Sequence, residues 1–326
     1  MKYGIIRFKN ILYVADPSEE DLKAFHHAVG LAERNNAWLT VILVAERMPH
    51  YLTRLAPHML PQIQIEELMA GLDRLSEWAA GRVEIETKVV EGTPFLEIIR
   101  DVLRNGRDLV VKSAEGNGGA LDWLFDPTDM HLLRKCPCPV WIIKSPEPTQ
   151  IRRILAAVDF DELDPPNEDA AEPLNRMILE LAGSLAFLER SEFHVVHAWE
   201  AFGEDLMKSG RTAIVKEEVE SYVSKVRLGH RYWLDRLLRK ARKWIGSKTY
   251  DAVKPKTHVP KGRAGKVIPS FASKLKVDLI VMGTVARTGI PGLIMGNTAE
   301  TILSQISCSV LAVKPPNFIT PVTLEE

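Results

Sequence analysis

The chain is poor in cysteine: its three, Cys136, Cys138 and Cys308, are spread over 326 residues. So few, and odd in number, they build no disulfide framework and suit a reducing compartment. Net charge is missing too, since 42 lysines and arginines stand against 43 acids and leave −1. No broad positive field therefore draws nucleic acid or anionic lipid. No apolar run approaches the ~20 residues that span a bilayer, and Lys2, Arg7, Lys9 and Asp16 break the N-terminal segment before signal-peptide length. The expected location is the cytoplasm, with neither membrane nor nucleic acid as partner. Also lacking are a Walker-type lysine loop, a nucleophile beside a base in a recognisable motif, and paired catalytic carboxylates. Cys136 and Cys138 have no histidine pair at zinc spacing, so no metal is expected and both read as buried structural residues.

What is present is ordinary in amount: 46% hydrophobic and 26% charged residues fit a folded globular protein rather than a disordered one. The length favours two domains. Sliding the chain along itself supports this, because Val83 to Lys144 aligns without a gap on Val253 to Lys314 at a constant shift of 170 residues. Gly92 falls on Gly262, Asp108 on Asp278, Cys138 on Cys308 and Lys144 on Lys314. Upstream, "NILYVAD" ending at Asp16 matches "RILAAVD" ending at Asp159, and "LTVILVAE" from Leu39 matches "FHVVHAWE" from Phe193. The smaller shifts there place insertions in the second copy near Asp161–Pro173 and Phe202–Val219, in connections where length is easily added. Proline and polar residues mark the boundary at Ser145–Gln150, dividing the chain into domains at 1–146 and 150–326.

Each copy reads as five strands separated by helices. In the second they are Ile154–Val158, Phe193–Trp199, Val253–Val259, Asp278–Met282 and Val310–Lys314, short Val/Ile/Leu runs with little alternation. Burial on both faces follows, so the fold class is α/β: two tandem, doubly wound, five-stranded parallel-sheet domains with right-handed crossovers. The open fifth strands, Val140–Lys144 and Val310–Lys314, are expected to meet each other, making an intramolecular pseudo-dimer. The helix Tyr222–Ile245 sets Trp233, Leu234, Leu237, Leu238 and Ala241 on one side and covers the rest with Lys and Arg, which marks a packing helix with a solvated basic face. His194 and His197 alternate on the second strand, and His197 reads as a packed, hydrogen-bonded residue rather than a base.

Ligands of an open parallel sheet settle beyond the carboxyl ends of its strands, where strand order reverses. After the fourth strand of the second copy comes "GTVARTGIPGLIMGNTAETIL", Gly283 to Leu303. Small residues at Gly283, Ala286, Gly289 and Gly292 let backbone N–H groups approach an anion, and Gly296-Asn297-Thr298 opens the last helix with unpaired donors and a positive dipole end. On the glycines alone, a phosphate site and a plain turn both remain open. Arg263 and Lys266, in "KGRAGK" after the third strand, stand at a ligand-facing edge as anion contacts or as surface charge.

The loop resembles the nucleotide loop of the universal stress protein family: a glycine after the fourth strand, two residues, a second glycine, nine residues, then glycine and a hydroxyl residue. Gly283, Ala286, Gly296 and Asn297 stand at those four places. Ala286 replaces the second glycine, and Asn297 replaces the hydroxyl residue, which Thr298 supplies one position on. The aspartates Asp16 and Asp159 and the entries Cys138-Pro139-Val140 and Cys308-Ser309-Val310 also look like that family. "GNTAETIL" and "KPPNFITPV" are similar to its tandem, E-type subclass.

The resemblance implies a Rossmann-like, adenine nucleotide alpha hydrolase-like fold. It implies that Asp159 contacts the nucleoside, that Ala198 offers its backbone to adenine, and that Met282 and Gly283 line base and ribose. Gly296, Asn297 and Thr298 would take phosphates, with Thr284, Ala286 and Arg287 completing the nucleotide-binding set. Asp159 could equally cap the following helix, and both roles can coexist. In the first copy the matching positions hold Ser113, Gly116, Asp126 and Pro127. An acid and a proline at the anion end of a helix remove positive potential and a donor, so that copy is expected not to bind ATP. The implied role is a stress-response regulatory protein holding ATP, AMP or another small anionic ligand in its second domain, with a homodimer left open. Binding without turnover is the simpler reading. The alternatives are a slow ATPase or nucleotidyl-transfer enzyme, for which fold analogy is a weak warrant, and a dimerising scaffold without nucleotide.

Overall fold

The computed structural model describes residues 8–16, 22–45, 59–114, 125–144, 150–160, 172–209, 214–285 and 295–324, with the side chains of 59–64 excepted. In chain order the first repeat gives β1 (Asn10–Val14), α1 (Lys23–Asn35), β2 (Trp38–Ala45), α2 (Met59–Ala79), β3 (Ile85–Glu91), α3 (Pro94–Asn105), β4 (Leu109–Ser113), α4 (Pro127–Lys135) and β5 (Val140–Ile143). The second gives β6 (Arg153–Ala157), α5 (Glu172–Glu189), β7 (Glu192–Val196), α6 (Glu204–Lys208), α7 (Lys216–Ile245), α8 (Ser247–Val253), β8 (Lys256–His258), α9 (Ala264–Leu275), β9 (Leu279–Gly283), α10 (Asn297–Leu303) and β10 (Ser309–Val313).

The chain divides into two compact units. The N-terminal unit gathers Arg7–Gln150 with Thr284–Asn297 and Ser307–Glu326. Its sheet runs β3-β2-β1-β4-β5-β10. The pairings from β3 to β5 are parallel. β10 lies antiparallel to β5, with Val310 opposite Ile142, Leu311 opposite Trp141 and Ala312 opposite Val140. The C-terminal unit gathers Ile151–Gly283 with Thr298–Ile306, and its strands run β9-β6-β7-β8, all parallel. In each repeat the chain reverses direction across the sheet between the first and fourth strands, which creates the crevice where such folds take ligands.

The reason for strands of unbroken apolar residues is visible in their burial. Ile11, Leu12, Val110, Val111, Ile154, Leu155, Ile280, Val281 and Leu311 are all enclosed, as helices on both faces require. α3 starts with Pro94 at its first turn, where the missing N–H costs nothing, and stops at Gly106 in the left-handed region. α7 buries Trp233, Leu234, Leu237, Leu238 and Ala241, while Arg227, Arg231 and Arg239 stay exposed.

Two strands of the second repeat differ from the sequence reading. The third strand of the second repeat shrinks to Lys256–His258, because Ser247–Val253 is helical and ends at Lys254 in the left-handed region, just before Pro255. β7 stops at Val196, so His197 lies past the strand and Trp199 makes only an isolated bridge to Lys261. The fifth strand of the second repeat is present as β10, which pairs antiparallel with β5 and is grouped with the N-terminal unit. Of the boundary segment Ser145–Gln150, only Gln150 lies within the described residues.

Candidate functional site

At the carboxyl end of β6 the chain turns through Asp159, whose side chain is 62% exposed. The turn is held from α5: Asn175 Oδ1 accepts from the Asp159 N–H at 3.2 Å, and Asn175 Nδ2 donates to the Asp159 carbonyl at 2.7 Å. The carboxylate accepts from the N–H of Phe160 at 2.9 Å. Asp159 therefore acts as a local turn residue with its carboxylate at the surface, and its backbone is fixed by a buried amide.

Ala198 follows β7. On either side of it, His197 N–H donates to His258 O, Trp199 N–H donates to Pro260 O, and Trp199 O accepts from Gly262 N–H, so all of these groups point towards β8. Backbone groups alternate along a parallel strand, so the N–H and C=O of Ala198 point the other way, past the end of β6. Among the described residues they make no hydrogen bond. A half-buried donor and acceptor left open side by side call for water or a ligand.

Beneath Asp159 sits a cluster the sequence did not announce. His197 Nε2 and His230 Nδ1 of α7 share a hydrogen bond at 2.9 Å, and His197 Nδ1 lies 3.7 Å from Asp159 Oδ1. Phe160 stacks on Trp233 with ring centroids 4.5 Å apart, and Trp199 lies against His230 at 5.4 Å. His197 is thus packed and hydrogen-bonded as its sequence reading held, and His194 likewise bonds His258 at 2.9 Å. Burial, with the neighbouring His194 and Lys256, holds His258 down at about 4, which keeps that pair neutral at physiological pH. His230 and Asn175 could have been suspected only as polar residues within apolar helical stretches.

Met282 is buried in β9. Gly283, which ends β9, has a packing reason to be glycine: a Cβ there would meet Leu174 Cδ2 of α5 at 2.6 Å. In the N-terminal unit, Thr284 is buried and its hydroxyl is committed, donating to Leu133 O at 2.7 Å and accepting from Lys314 Nζ at 2.7 Å. Val285 and Met295 form an antiparallel bridge, and Gly296 N–H donates to Thr284 O at 3.2 Å. Asn297 and Thr298 are exposed at the start of α10. Ala286 and Arg287 lie outside the described residues. Asp159, Ala198, Met282 and Gly283 therefore come together at neighbouring strand ends of one unit, while Thr284, Gly296 and Asn297 belong to the other.

Of the two cations after β8, Arg263 lies 3.8 Å from the Glu200 carboxylate, which answers part of its charge. Lys266 is exposed in the first turn of α9.

The first repeat shows what stands at the matching positions. Asp126, in place of Gly296, caps α4 by accepting from Asp129 N–H at 2.5 Å. Lys112, in place of Met282, reaches both carboxylates, at 2.9 Å from Asp126 and 3.1 Å from Asp129. Asp129 is fully buried. Desolvation drives its carboxyl up to about 7 against the opposing pull of Lys112. Here the protein's own acid occupies the helix start, with Pro127 behind it.

The model of the universal stress protein family matches residues 7–144 and again 150–314. Over 331 residues the chain is 31% identical to universal stress protein E of Escherichia coli strain K12, covering 98% of each. A homologue of that protein from Haemophilus influenzae is 28% identical over 95% of this chain and 98% of its own. A crystal structure of a Pseudomonas aeruginosa PAO1 protein, described as functionally unknown, has the same fold, with TM-score 0.66 and 25% identity over 95% of this chain and 94% of its own. A universal stress protein structure from Archaeoglobus fulgidus shares the fold at TM-score 0.61 and 18% identity, over 94% and 98% of the two chains.

Proposed function

Because this chain belongs to the universal stress protein family, we propose that it is a regulatory binding protein whose second repeat receives an adenine nucleotide, ATP or AMP, without a dedicated catalytic site. The observation that carries the reading is the open backbone of Ala198. A donor and an acceptor one residue wide, facing the end of β6, match the edge of an adenine ring, which presents a ring-nitrogen acceptor beside an amino donor. Asp159, with its exposed carboxylate at the next strand end, suits ribose hydroxyls. Binding there ties up groups otherwise left to water, and needs no proton transfer or nucleophile from the protein.

The loop contributes less than its sequence promised. The Thr284 hydroxyl and the Gly296 N–H are already bonded within the fold, which leaves Thr298, exposed at the start of α10 and in the same unit as Asp159 and Ala198, to meet a phosphate oxygen. AMP and ATP are accordingly proposed to bind with similar strength. A homodimer and a cytoplasmic location belong to the same proposal. A scaffold role without nucleotide has one observation in its favour, the Leu174 side chain seated against Gly283.

The test is calorimetric titration with AMP of wild type and Ala198→Pro. The substitution deletes the N–H while leaving the carbonyl. With folding checked by circular dichroism, affinity should fall at least about tenfold, the scale of one lost hydrogen bond in a dry contact. Equal affinity would remove Ala198 from the site.

A further inference from the structure

Two repeats that match in register still differ at one buried spot. The first carries Cys136-Pro137-Cys138 where the second has only Cys308 in the matching place of Cys138. Cys136 and Cys138 follow the end of α4, and their Sγ atoms stand 3.6 Å apart. Cys136 is 0% and Cys138 8% exposed.

A lysine is buried with them. Lys314, just past β10, is 1% exposed, and its Nζ donates to Leu133 O in the last turn of α4 at 2.6 Å and to Thr284 Oγ1 at 2.7 Å. These two acceptors satisfy hydrogen bonds but do not answer a charge, and an ammonium taken out of water needs a counter-charge. Among the described residues no carboxylate pairs with Lys314. The ionisable groups that act on it are the two cysteines, either of which would bring a counter-charge once deprotonated. A pair of cysteines serving only as apolar filling would have no use for such a neighbour.

The two sulfurs are also unlike. Burial works against a thiolate at Cys136, yet hydrogen bonds from the thiol and backbone of Cys138, together with the Lys314 charge, outweigh it and hold Cys136 below the usual thiol range. The Cys138 thiol is pushed well up by the bond it makes to Cys136 and by its own burial. Cys136 is thus the easier of the two to ionise, and the Lys314 charge favours its thiolate. Burial pulls Lys314 down to about 8 against the opposing effect of the two cysteines, so an ionised sulfur there would favour the ammonium.

We propose that Cys136 and Cys138 form an oxidisable dithiol that hydrogen peroxide closes to a Cys-Pro-Cys disulfide. The Cys136 thiolate attacks one peroxide oxygen. The S–O bond forms, the O–O bond breaks, and the departing hydroxide takes up a proton to leave as water. The Cys138 sulfur, deprotonated as it attacks, displaces the second oxygen from the Cys136 sulfenic acid. The S–S bond forms, the S–O bond breaks, and a second water leaves. Two thiols and one peroxide give one disulfide and two waters, with two electrons passing from sulfur to oxygen. Closing the gap to a bond of about 2.05 Å moves the sulfurs by roughly 1.5 Å, within reach of side-chain rotation and a small backbone shift. Once the thiolate is consumed, Lys314 loses its counter-charge, which weakens its hold on Leu133 and Thr284. Cys308 has no second cysteine two residues away and serves as an internal control.

The full chain, reduced and then exposed to hydrogen peroxide, is unfolded in an alkylating agent and mapped by mass spectrometry. The expected result is loss of two of the three thiols, with the peptide holding Cys136 and Cys138 lighter by two hydrogens and restored by dithiothreitol. Cys138→Ser should instead trap a sulfenic acid at Cys136, detected by dimedone. Lys314→Met, if circular dichroism shows it folded, should slow closure about tenfold, since a loss of one pKa unit of thiolate stabilisation cuts the thiolate tenfold. The proposal fails if both thiols stay alkylatable while Cys308 oxidises. It fails equally if the disulfide joins either of them to Cys308, or if Cys136 goes on to sulfinic acid with Cys138 still reduced.

Discussion

Asn175 grips Asp159 by the backbone at both ends, accepting from its N–H and donating to its carbonyl, so the residue at the tip of β6 is set by one buried amide from α5. The carboxylate is left to the surface while the main chain is locked. Asn175→Ala should cost stability, because it strands two backbone groups whose net bonds are worth about 1 kcal/mol each, or more when left unsatisfied. It should also weaken AMP binding roughly tenfold by releasing Asp159. Thermal midpoint and titration on the same variant check both. A fall in stability with unchanged affinity would separate Asp159 from the ligand.

The glycine that ends β9 serves packing whatever it does for a ligand. Gly283→Ala drives a methyl against Leu174 and should destabilise the protein by about 1–3 kcal/mol, the usual cost of overfilling a packed site. Adding Leu174→Ala should return part of that stability. If the double variant regains stability but not AMP binding, the bare Cα of Gly283 is needed by the nucleotide as well. Recovery of both would assign the glycine to packing alone.

Asp129 gives a prediction in pH. Its folded carboxyl sits at about 7, above the ordinary aspartate value of 3.8, with burial as the main cause and Lys112 opposing it. Between those values the folded state binds more protons than the unfolded chain, so this group's contribution is full below about pH 4 and is lost as pH rises through 7. The loss runs at up to about 1.4 kcal/mol per pH unit. Asp129→Asn keeps the shape and an acceptor without the charge. The difference in thermal midpoint between variant and wild type should therefore widen in favour of the variant from pH 4 to pH 7. A constant difference across that range would mean that Asp129 stays ionised throughout.

The repeat and the strand cores were legible in the sequence because both are local. Short valine and isoleucine runs must be buried on two faces, and a register of 170 residues survives only if two stretches build the same thing. The stretch Val253–Pro255 misled because a run so short carries no period, and Lys254 in the left-handed region stops a helix there instead of starting a strand. Ala198 and Asp159 could be placed at strand ends from the repeat alone. Thr284 could not be assigned: its hydroxyl is taken by Leu133, 151 residues away, and by Lys314, 30 residues away. Leu174 and Asn175 were likewise hidden, since nothing in "EPLNRMILEL" says which side chain will reach the end of β6 or β9.

The direct test of the central claim is a calorimetric titration of the purified full chain with ATP and with AMP, run on wild type and on Asp159→Ala. The open backbone at Ala198 in the second repeat, and the Asp126 carboxylate already capping α4 in the first, predict one nucleotide per chain, with Asp159→Ala reducing affinity at least about tenfold while the thermal midpoint holds. Two equivalent sites per chain, no binding by wild type, or one site indifferent to the loss of Asp159 would contradict the account.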